Sequence, residues 1–408
     1  MHHPARGLCK ALCLLTVLSP TCTFATDWRT SWDATLYGYA SHLALRDDSV
    51  LNPGNRIARI AQRSDSAELR MNAKAERDSV RFTMRAIGNI REQRNGFDTR
   101  SVREAYLSQW QLRVLAAEGF NIAIGRDVLN WGAAQFRSPS SPYYFDSGRS
   151  DPMRELTGMD SVKLSWTPDR QHSLQLVRIA RAGDEQAQSS VWRDSWLAKF
   201  DQRDDEWAYG LVLASAPHLS AFYGAHGQWT MSDAAMLYGE FSSSAQQPGL
   251  SSPESLAQPF TVQAVSPRRS VFLFGAAYTF ENGQTLHAEY LHDGQGYTAA
   301  QEESYFARAA ISPALAGTAL GYAPRLLGRD YVHLVWQSNM MESEYYWRAM
   351  FTRNLTDGSN EIGGYAEKTL NPRLSAFAAL VLNGGAARQE MSALFTRSAT
   401  LGVKVALP

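Results

Sequence analysis

Cysteine is scarce in this chain of 408 residues, and the few cysteines that occur lie close to its start. They are Cys9, Cys13 and Cys22. If residues 1–25 are removed as a signal segment, the rest of the chain contains none. Disulfides, thiolate metal sites and cysteine nucleophiles are then excluded together. An exported chain without disulfides must be stabilised mainly by its backbone hydrogen bonds.

The first residues have the composition of a secretory signal. Arg6 and Lys10 give a positive start, an apolar stretch follows, and an approximate small-x-small cleavage site ends at Ala25. Cleavage after Ala25 is predicted, which leaves 26–408 as a single domain. Cys22 raises the alternative of a lipoprotein signal, but the residues before it fit that signal poorly.

The chain also lacks a long apolar run and an excess of charge. No stretch after the signal is apolar over the roughly 18–20 positions that a spanning helix needs. Lys+Arg and Asp+Glu both total 40, and the mean hydropathy is -0.32. A helical membrane protein is therefore excluded, and nothing points to nucleic acid as a partner. Aromatic residues make up 11% of the chain, as expected where aromatic girdles meet a membrane interface.

What the chain does contain is a long series of short strands with two different faces. In residues 66–76, Leu69 and Met71 alternate with Glu68 and Arg70. Successive side chains of a strand point to opposite faces of the sheet. A sheet that spans a bilayer must close on itself and alternate between lipid and lumen. The pattern therefore predicts an all-β fold, a closed antiparallel transmembrane β-barrel.

The strand count is predicted as 16–18, with eighteen preferred. The predicted strands begin near Trp32, Ser66, Ser79, Val102, Glu118, Asp160, Gln171, Asp194, Glu206, His218, Asp233, Arg268, Gln284, Arg329, Ser343, Ser359, Arg373 and Thr396. The clearest alternations place Phe82, Leu334 and Leu401 on the lipid side.

Connector length alternates along the chain. Short turns such as 77–78, 168–170 and 371–372 follow even-numbered strands, and long connectors such as 127–159 and 294–328 follow odd-numbered ones. Bacterial barrels have short periplasmic turns and long extracellular loops. Both chain ends are therefore expected in the periplasm. Asn282-Gly283 and the connector 294–328 are expected to fit only if a strand nearby is miscounted.

One segment carries a more specific pattern. Gly125-Arg126-Asp127-Val128-Leu129-Asn130-Trp131-Gly132 ends the fifth strand and opens a long Pro-containing loop. Over residues 120–166 the chain resembles porin-like Gram-negative outer-membrane barrels, with a GRxxxxWG strand end and a Pro-rich loop that returns to the next strand. That group includes uncharacterised porins and alginate-export-like barrels. The resemblance implies a channel for small solutes or, in the alginate-export type, for an anionic polysaccharide.

The loop and the inward faces supply candidate pore residues. Pro139 and Pro142 stiffen the loop by fixing φ, which favours a constriction folded into the lumen. Rings of charged side chains select permeants by charge. The predicted constriction residues are Arg81, Arg85, Arg126, Asp127, Trp131, Arg137, Arg149, Arg154 and Lys163. The alternative is that these charges pair with one another and hold the wall in place.

The aromatic cluster of the loop also has two interpretations. Trp131, Tyr143, Tyr144 and Phe145 offer a stacking surface for sugar rings. The favoured interpretation is that they pack the loop against the barrel wall.

The sequence offers little to an enzyme. Barrel lipid hydrolases need a His two residues before a Ser, and here Gln337 precedes Ser338. His287, Glu289 and His333 are interpreted as lumen lining and not as a metal site. We expect no enzymatic activity, no metal and no cofactor.

The expected function is an outer-membrane channel for passive or facilitated passage of small polar solutes, with a preference for anionic or sugar-like ones. Its expected partners are the solute, outer-membrane lipid and lipopolysaccharide, and the barrel-assembly machinery. The sequence leaves open whether the protein forms a homo-oligomer. The alternatives are an export portal for a polysaccharide, a barrel-embedded lipid hydrolase and a structural barrel with a plugged lumen.

Overall fold

The computed structural model describes residues 28–181, 192, 194–217, 219–245, 249–339 and 344–407. The predicted signal segment, residues 1–25, lies outside the described residues. So do the predicted strand starts His218 and Ser343, next to strands that begin at Phe222 and Tyr345.

More than half of the described chain is β-strand. The strands are β1 (Arg29–Leu45), β2 (Arg63–Arg77), β3 (Val80–Arg94), β4 (Thr99–Ala117), β5 (Phe120–Asp127), β6 (Met159–Trp166), β7 (His172–Arg181), β8 (Trp196–Arg203), β9 (Trp207–Ser215), β10 (Phe222–Thr230), β11 (Ala235–Ser244), β12 (Gly249–Ser251), β13 (Thr261–Gln263), β14 (Arg269–Thr279), β15 (Thr285–Asp293), β16 (Asp330–Gln337), β17 (Tyr345–Asn354), β18 (Asn360–Asn371), β19 (Leu374–Gly384) and β20 (Phe395–Leu407). Two helices, α1 (Ala299–Ala309) and α2 (Pro313–Tyr322), lie between β15 and β16. None of the described helices has both the length and the apolarity needed to cross a membrane.

Eighteen of the strands form one closed antiparallel barrel. Each pairs with its neighbours along the chain, and β11 pairs with β14 because β12 and β13 form a separate hairpin. The first and last strands close the sheet, in register from Ala34 opposite Leu407 to Ala44 opposite Arg397, with a one-residue shift before Leu45 opposite Phe395. Closure gives each barrel strand a hydrogen-bonded neighbour on both sides, which is the condition for a sheet surrounded by lipid. The preferred count of eighteen is confirmed.

The predicted faces are confirmed by burial. In β2, Glu68 and Arg70 are buried inside the barrel. In β16, His333 is 2% exposed, whereas Leu334 and Trp336 on the opposite face are 37% and 46% exposed. The outer surface is therefore largely apolar over the height of the strands. The inner surface carries charged side chains together with buried apolar ones such as Ile179, Leu197 and Leu273.

The two rims of the barrel differ. We call the rim with the short turns the turn end and the opposite rim the loop end. Outward-facing tryptophans gather at the turn end, in the last or first positions of several strands. They are Trp32, Trp166, Trp207, Trp229, Trp336 and Trp347. Trp207 and Trp229 stack face to face with ring centroids 4.9 Å apart. Such a belt is typical of a membrane–water interface.

The connector alternation holds without a miscounted strand, so that expectation was wrong. Residues 280–284 follow the twelfth barrel strand, β14, and residues 294–329 follow the thirteenth, β15. The short connector thus follows an even-numbered strand and the long connector an odd-numbered one, as the alternation requires. Some odd-numbered connectors are short, for example residues 95–98 and 355–359, since a loop-end connector need not be long.

Four long connectors pack together over the loop end. We call their described residues the lid: 46–62, 245–268, 294–329 and 385–394. Their side chains share one apolar core that includes Leu51, Leu250, Tyr305, Phe306, Ala316, Leu327 and Ala393. Between connectors 46–62 and 245–268, ten barrel strands lie one way (β2 to β11) and eight the other way (β14 to β20 and β1). Because these two connectors start on opposite sides of the barrel, a core that joins them must cross its mouth.

Candidate constriction inside the barrel

The long connector between β5 and β6 folds into the barrel. We call residues 128–158 the inner loop. Its central residues are deeply buried although they belong to no strand: Ser138 and Ser140 are 0% exposed, and Tyr143 and Tyr144 are 2% exposed. A surface loop would leave such groups in water. The inner loop is therefore packed inside the barrel, and its role as a constriction stays a prediction.

Glycines allow the chain to leave the sheet at both ends of the inner loop. Gly125 has φ of 147°, a backbone conformation that disfavours other residues. A Cβ at Gly125 would meet the carbonyl oxygen of Trp110 on the neighbouring strand. At the other end, a Cβ at Gly158 would lie 2.7 Å from the backbone nitrogen of Asp127. The two limbs of the loop can therefore run close together where they leave the wall.

The outgoing limb is fastened to β11 by a buried carboxylate. Glu240 is 4% exposed and accepts the backbone amides of Ala134 and Ser140, each at 3.2 Å. The hydroxyls of Ser138 and Ser140 also donate to it, each at 2.7 Å. Charge-assisted bonds of this kind are stronger than neutral ones. The Ser-Pro-Ser-Ser segment thus supplies donors to a wall residue.

A second carboxylate holds the loop on β15. Glu289, also 4% exposed, accepts the amides of Gln135 at 2.6 Å and Phe136 at 2.8 Å, and the hydroxyl of Tyr238 at 2.6 Å. The Phe136 ring stacks on His333 with centroids 4.9 Å apart. His333 and Glu289 are thus part of the loop anchor. Among the described residues, no group of three or more His, Cys, Asp or Glu side chains is arranged to hold a metal ion.

The returning limb leans on the opposite wall. Glu155 pairs with Arg70 at 2.6 Å and with Arg85 at 3.0 Å. Arg70 also pairs with Glu68 at 2.5 Å and donates to the carbonyl of Met153 at 2.9 Å. The inner loop therefore crosses the lumen from β11 and β15 to β2 and β3, and divides its cross-section.

Among the remaining charged residues of the loop, arginines outnumber the carboxylates that pair with them. Asp146 pairs with Arg154 and, at 3.8 Å, with Arg137. Arg149 donates to the carbonyl of Ala134 at 3.0 Å. One carboxylate thus serves two guanidiniums here, just as Glu155 does on the returning limb.

An aromatic wall continues from this cluster through β1 to β18. The guanidinium of Arg70 lies 4.3 Å from the ring centroid of Tyr37. Lys404 on β20 lies between 5.7 and 5.8 Å from the rings of Tyr37, Tyr365 and Phe377, and it pairs with Glu367. Cations over aromatic faces are attracted by the quadrupole of the ring. A polar and aromatic surface thus faces the returning limb.

A cavity of about 260 Å³ continues from Arg85 toward the turn end. Its polar lining includes Asp33, Asn72, Lys74, Thr83, Gln111 and Asp127. The space beside the returning limb therefore continues toward the turn end as a cavity with a polar lining.

The predicted constriction residues do not form one group. Arg85, Arg137, Arg149 and Arg154 lie together at the inner loop and the wall it touches. Asp127 and Lys163 face the lumen and pair with each other at 2.6 Å across β5 and β6. Arg81 also faces inward, but it lies near a turn and pairs with Glu76 at 3.3 Å.

Arg126 is placed on the other face of the sheet. β5 continues through Asp127, so Arg126 must point opposite to Asp127. It forms a bidentate pair with Asp160, at 2.8 and 3.1 Å, on the side of Ile124 and Val162, which are exposed. This alternation does not favour Arg126 as a pore residue, although Arg126 is also among the residues that line the cavity of about 260 Å³, and the assignment stays a prediction. The pair instead joins neighbouring strands on the outer face.

The aromatic residues of the loop are packed inside it. The Tyr143 hydroxyl bonds Ser195 at 3.1 Å, and that of Tyr144 donates to the carbonyl of Thr157 at 2.7 Å. The indole nitrogen of Trp131 donates to the carbonyl of Ser140 at 3.1 Å. This is the packing role favoured from the sequence, and Tyr143 and Tyr144 present almost no surface to a solute.

Sequence reasoning did not single out several residues of the constriction: Arg70, Tyr37, Glu240, Glu367 and Lys404. All five face inward by strand alternation, which is a readable signal. Their relation to the inner loop or to one another depends on contacts between distant strands. The Ser338 hydroxyl, by comparison, accepts the backbone amide of Trp347 at 2.9 Å in a turn and serves local structure.

Comparisons with solved structures agree with this architecture. The chain is similar to the crystal structure of Pseudomonas aeruginosa OccK5 (OpdH), with TM-score 0.55 and 9% identity, over 93% of this chain and 98% of that one. It is similar to P. aeruginosa OccK11 (OpdR), with TM-score 0.54 and 12% identity, over 93% and 96%. It is also similar to P. aeruginosa OprD, with TM-score 0.52 and 11% identity, over 93% and 95%.

At these identities the likeness concerns the fold. No family model and no curated protein matches the sequence. The class that fold and site define is therefore a closed, 18-stranded, porin-like antiparallel barrel with a loop folded into its lumen.

Proposed function

We propose that the protein is an outer-membrane channel for small polar solutes. The observation that carries the proposal is the inner loop, which two buried carboxylates and an arginine-bound glutamate hold across the lumen. A loop so held narrows a barrel, and here the loop brings charged side chains such as Arg137, Arg154 and Glu155 to the narrowed passage. Narrow passages lined by fixed charges and hydrogen-bonding groups select solutes by size and charge.

The outer surface supports a location in the outer membrane. It is apolar between two rims, carries tryptophans at the turn end, and belongs to a sheet without free edges. The predicted signal of residues 1–25 would export the chain. Lipid and lipopolysaccharide would then surround the barrel, and the barrel-assembly machinery would insert it.

The charges at the constriction support a preference for anionic solutes. The guanidiniums of Arg70, Arg85, Arg137 and Arg154 meet the carboxylates of Glu68, Asp146 and Glu155. Arg149 adds a cation bonded to a carbonyl. Positive charge thus exceeds negative charge on this side of the loop, whereas the carboxylates of Glu240 and Glu289 at the other wall are occupied by donors of the loop. Tyr37 and Lys404 opposite the returning limb offer stacking and hydrogen bonding to a ring that carries hydroxyls or a carboxylate.

Planar bilayers and liposome swelling test the proposal. Purified protein that shows the heat-modifiable migration of a folded barrel should give stepwise conductance. Among solutes of equal size, anions should enter liposomes faster than cations. Folded protein that gives neither conductance nor swelling would contradict the channel.

A structural barrel with a plugged lumen is the second candidate, because the lid crosses the mouth. Replacing residues 299–322 with a short Gly-Ser linker separates the two. At pH 9, a plugged barrel conducts only after the replacement, whereas a channel conducts before and after it. The inner loop and the lid weigh against a wide portal for a polymer.

A further inference from the structure

The lid contains a buried acid that no donor satisfies. Glu302 lies in the first turn of α1 and is 2% exposed. Among the residues that the structure describes, neither of its carboxyl oxygens has a hydrogen-bond donor. A buried carboxylate without a partner is costly, so such a group is normally neutral or bound to something. The site therefore needs an explanation beyond packing.

The polar group beside Glu302 is another carboxylate. Asp357, in the connector between β17 and β18, lies within hydrogen-bonding reach of Glu302. Asp357 accepts the amide and the hydroxyl of Ser359, each at 2.7 Å, and the amide of Glu390 at 2.6 Å. These donors stabilise Asp357 as an anion. Two ionised carboxylates cannot share such a contact, but one proton between them makes a strong hydrogen bond.

Other charges near Glu302 add to the repulsion. Glu390 of connector 385–394 raises the pKa of Glu302 further, and its own oxygens accept the amide of Leu327 at 2.7 Å and the hydroxyl of Tyr331 at 2.5 Å. On the helix itself, Arg308 is turned toward connector 245–268, where it donates to the carbonyls of Gln258 and Pro253. Glu254 of that connector accepts the hydroxyl of Thr298.

We infer that Glu302 and Asp357 share one proton and so form a latch that fastens α1 of the lid to the barrel rim. Asp357 belongs to a connector between two barrel strands, and Glu302 belongs to the helix that covers the mouth. Acid conditions keep the latch closed, and alkaline conditions release it. The latch thus makes passage through the proposed channel depend on the pH outside the cell.

The direction of the pH dependence of lid docking follows from the protonation of Glu302 in the docked and the undocked lid. Burial, and next Asp357, raise the pKa of Glu302 to about 10 when the lid is docked. In an undocked lid the carboxyl meets water and returns to a value near 4.5. Protonation of Glu302 therefore stabilises the docked lid fully at a pH below 4.5. This stabilisation falls as the pH rises from 4.5 toward the pKa of about 10 in the docked lid. Over that window the docking constant changes by at most about ten-fold per pH unit.

Conductance at varied pH on the loop side of a bilayer tests the latch. The wild-type open fraction should rise from pH 5 to pH 9. In Glu302→Gln the amide donates to Asp357 as the protonated acid does, so the lid should stay docked and the pH dependence should vanish. Glu303→Gln removes the same charge from an exposed position of the same helix and should behave as wild type. Wild-type pH dependence retained in Glu302→Gln would overturn the latch.

A second readout is independent of conduction. Hydrogen exchange of peptides from 299–309 is compared between wild type and Glu302→Gln at the same pH, so that intrinsic exchange rates cancel. The two should match at pH 5, and the wild type should exchange faster at pH 9. Equal exchange at both values would refute the latch. A barrel that never conducts but shows this difference would refute the channel and leave the latch standing.

Discussion

The carboxylate of Glu289 on β15 accepts the backbone amide of Phe136 at 2.8 Å, and this contact joins the inner loop to the wall across from its origin. The loop starts on β5, far around the barrel from β15. A loop attached at its two ends and at such a point cannot swing out of the lumen. The width of the passage therefore depends on wall residues that the loop sequence does not contain.

Weakening this anchor should widen the passage. Glu289→Gln leaves one oxygen for three donors and turns an amide NH2 toward them. Each bond to a charged group contributes about 1.5–3 kcal/mol, so the loop should detach part of the time. Single-channel recordings should show higher and noisier conductance. Glu281→Gln, at an exposed turn position, is the matched control, and an unchanged trace from folded Glu289→Gln protein would disprove the anchor role.

Selectivity should respond to the loop arginines and not to Arg126. Replacing Arg137 and Arg154 with Gln leaves Asp146 without its partners, which makes the constriction more negative. A unit charge at 4 Å is worth about 1 kcal/mol in water, so the anion-to-cation permeability ratio should fall roughly five-fold per charge. Reversal potentials in a salt gradient measure the ratio.

Arg126→Gln serves as the control, since that side chain lies on the outer face. A selectivity change in Arg126→Gln equal to that of the loop variants would contradict the placement of the loop arginines at the constriction. High salt should reduce the effect of the loop variants because it screens the charges.

Substitution of Gly125 should impair folding. An alanine there would have to adopt φ near 147° with its Cβ against the carbonyl oxygen of Trp110, which costs on the order of 1–3 kcal/mol. The urea midpoint of unfolding in lipid vesicles should drop. Gly88→Ala is a suitable comparison, since nothing lies within 4 Å of a Cβ at that position. Equal midpoints for the two variants would show that Gly125 is not constrained.

The stacked pair Trp207 and Trp229 should couple energetically. Their rings are nearly parallel, at 4° and 4.9 Å, on neighbouring strands of the outer face. A double-mutant cycle with alanine should give a coupling free energy of about 0.5–1.5 kcal/mol. Reversible unfolding in vesicles supplies the four free energies. Additive effects would mean that each ring contacts lipid only.

Much of the barrel could be predicted from the sequence because its signals are local. A wall between lipid and water imposes a period of two on every strand, so Glu68 and Leu69 reveal their faces without any knowledge of their neighbours. All eighteen predicted strand starts lie within four residues of the observed ones. Turn residues such as Asn282-Gly283 mark the strand ends equally locally.

The arrangement of the inner loop and the lid could not be predicted, because it depends on contacts between residues far apart in sequence. Glu240 and Glu289 lie more than 95 residues beyond the loop amides that they bind, and Glu302 meets Asp357 across two barrel strands. The spacing of residues along the chain does not predict contacts between residues so distant in sequence. Only the closed sheet brings these side chains to one place, because its curvature turns strands that are far apart in sequence toward a common axis. The sequence by itself thus determined the wall and its two faces, and the tertiary structure decided what narrows the opening and what covers it.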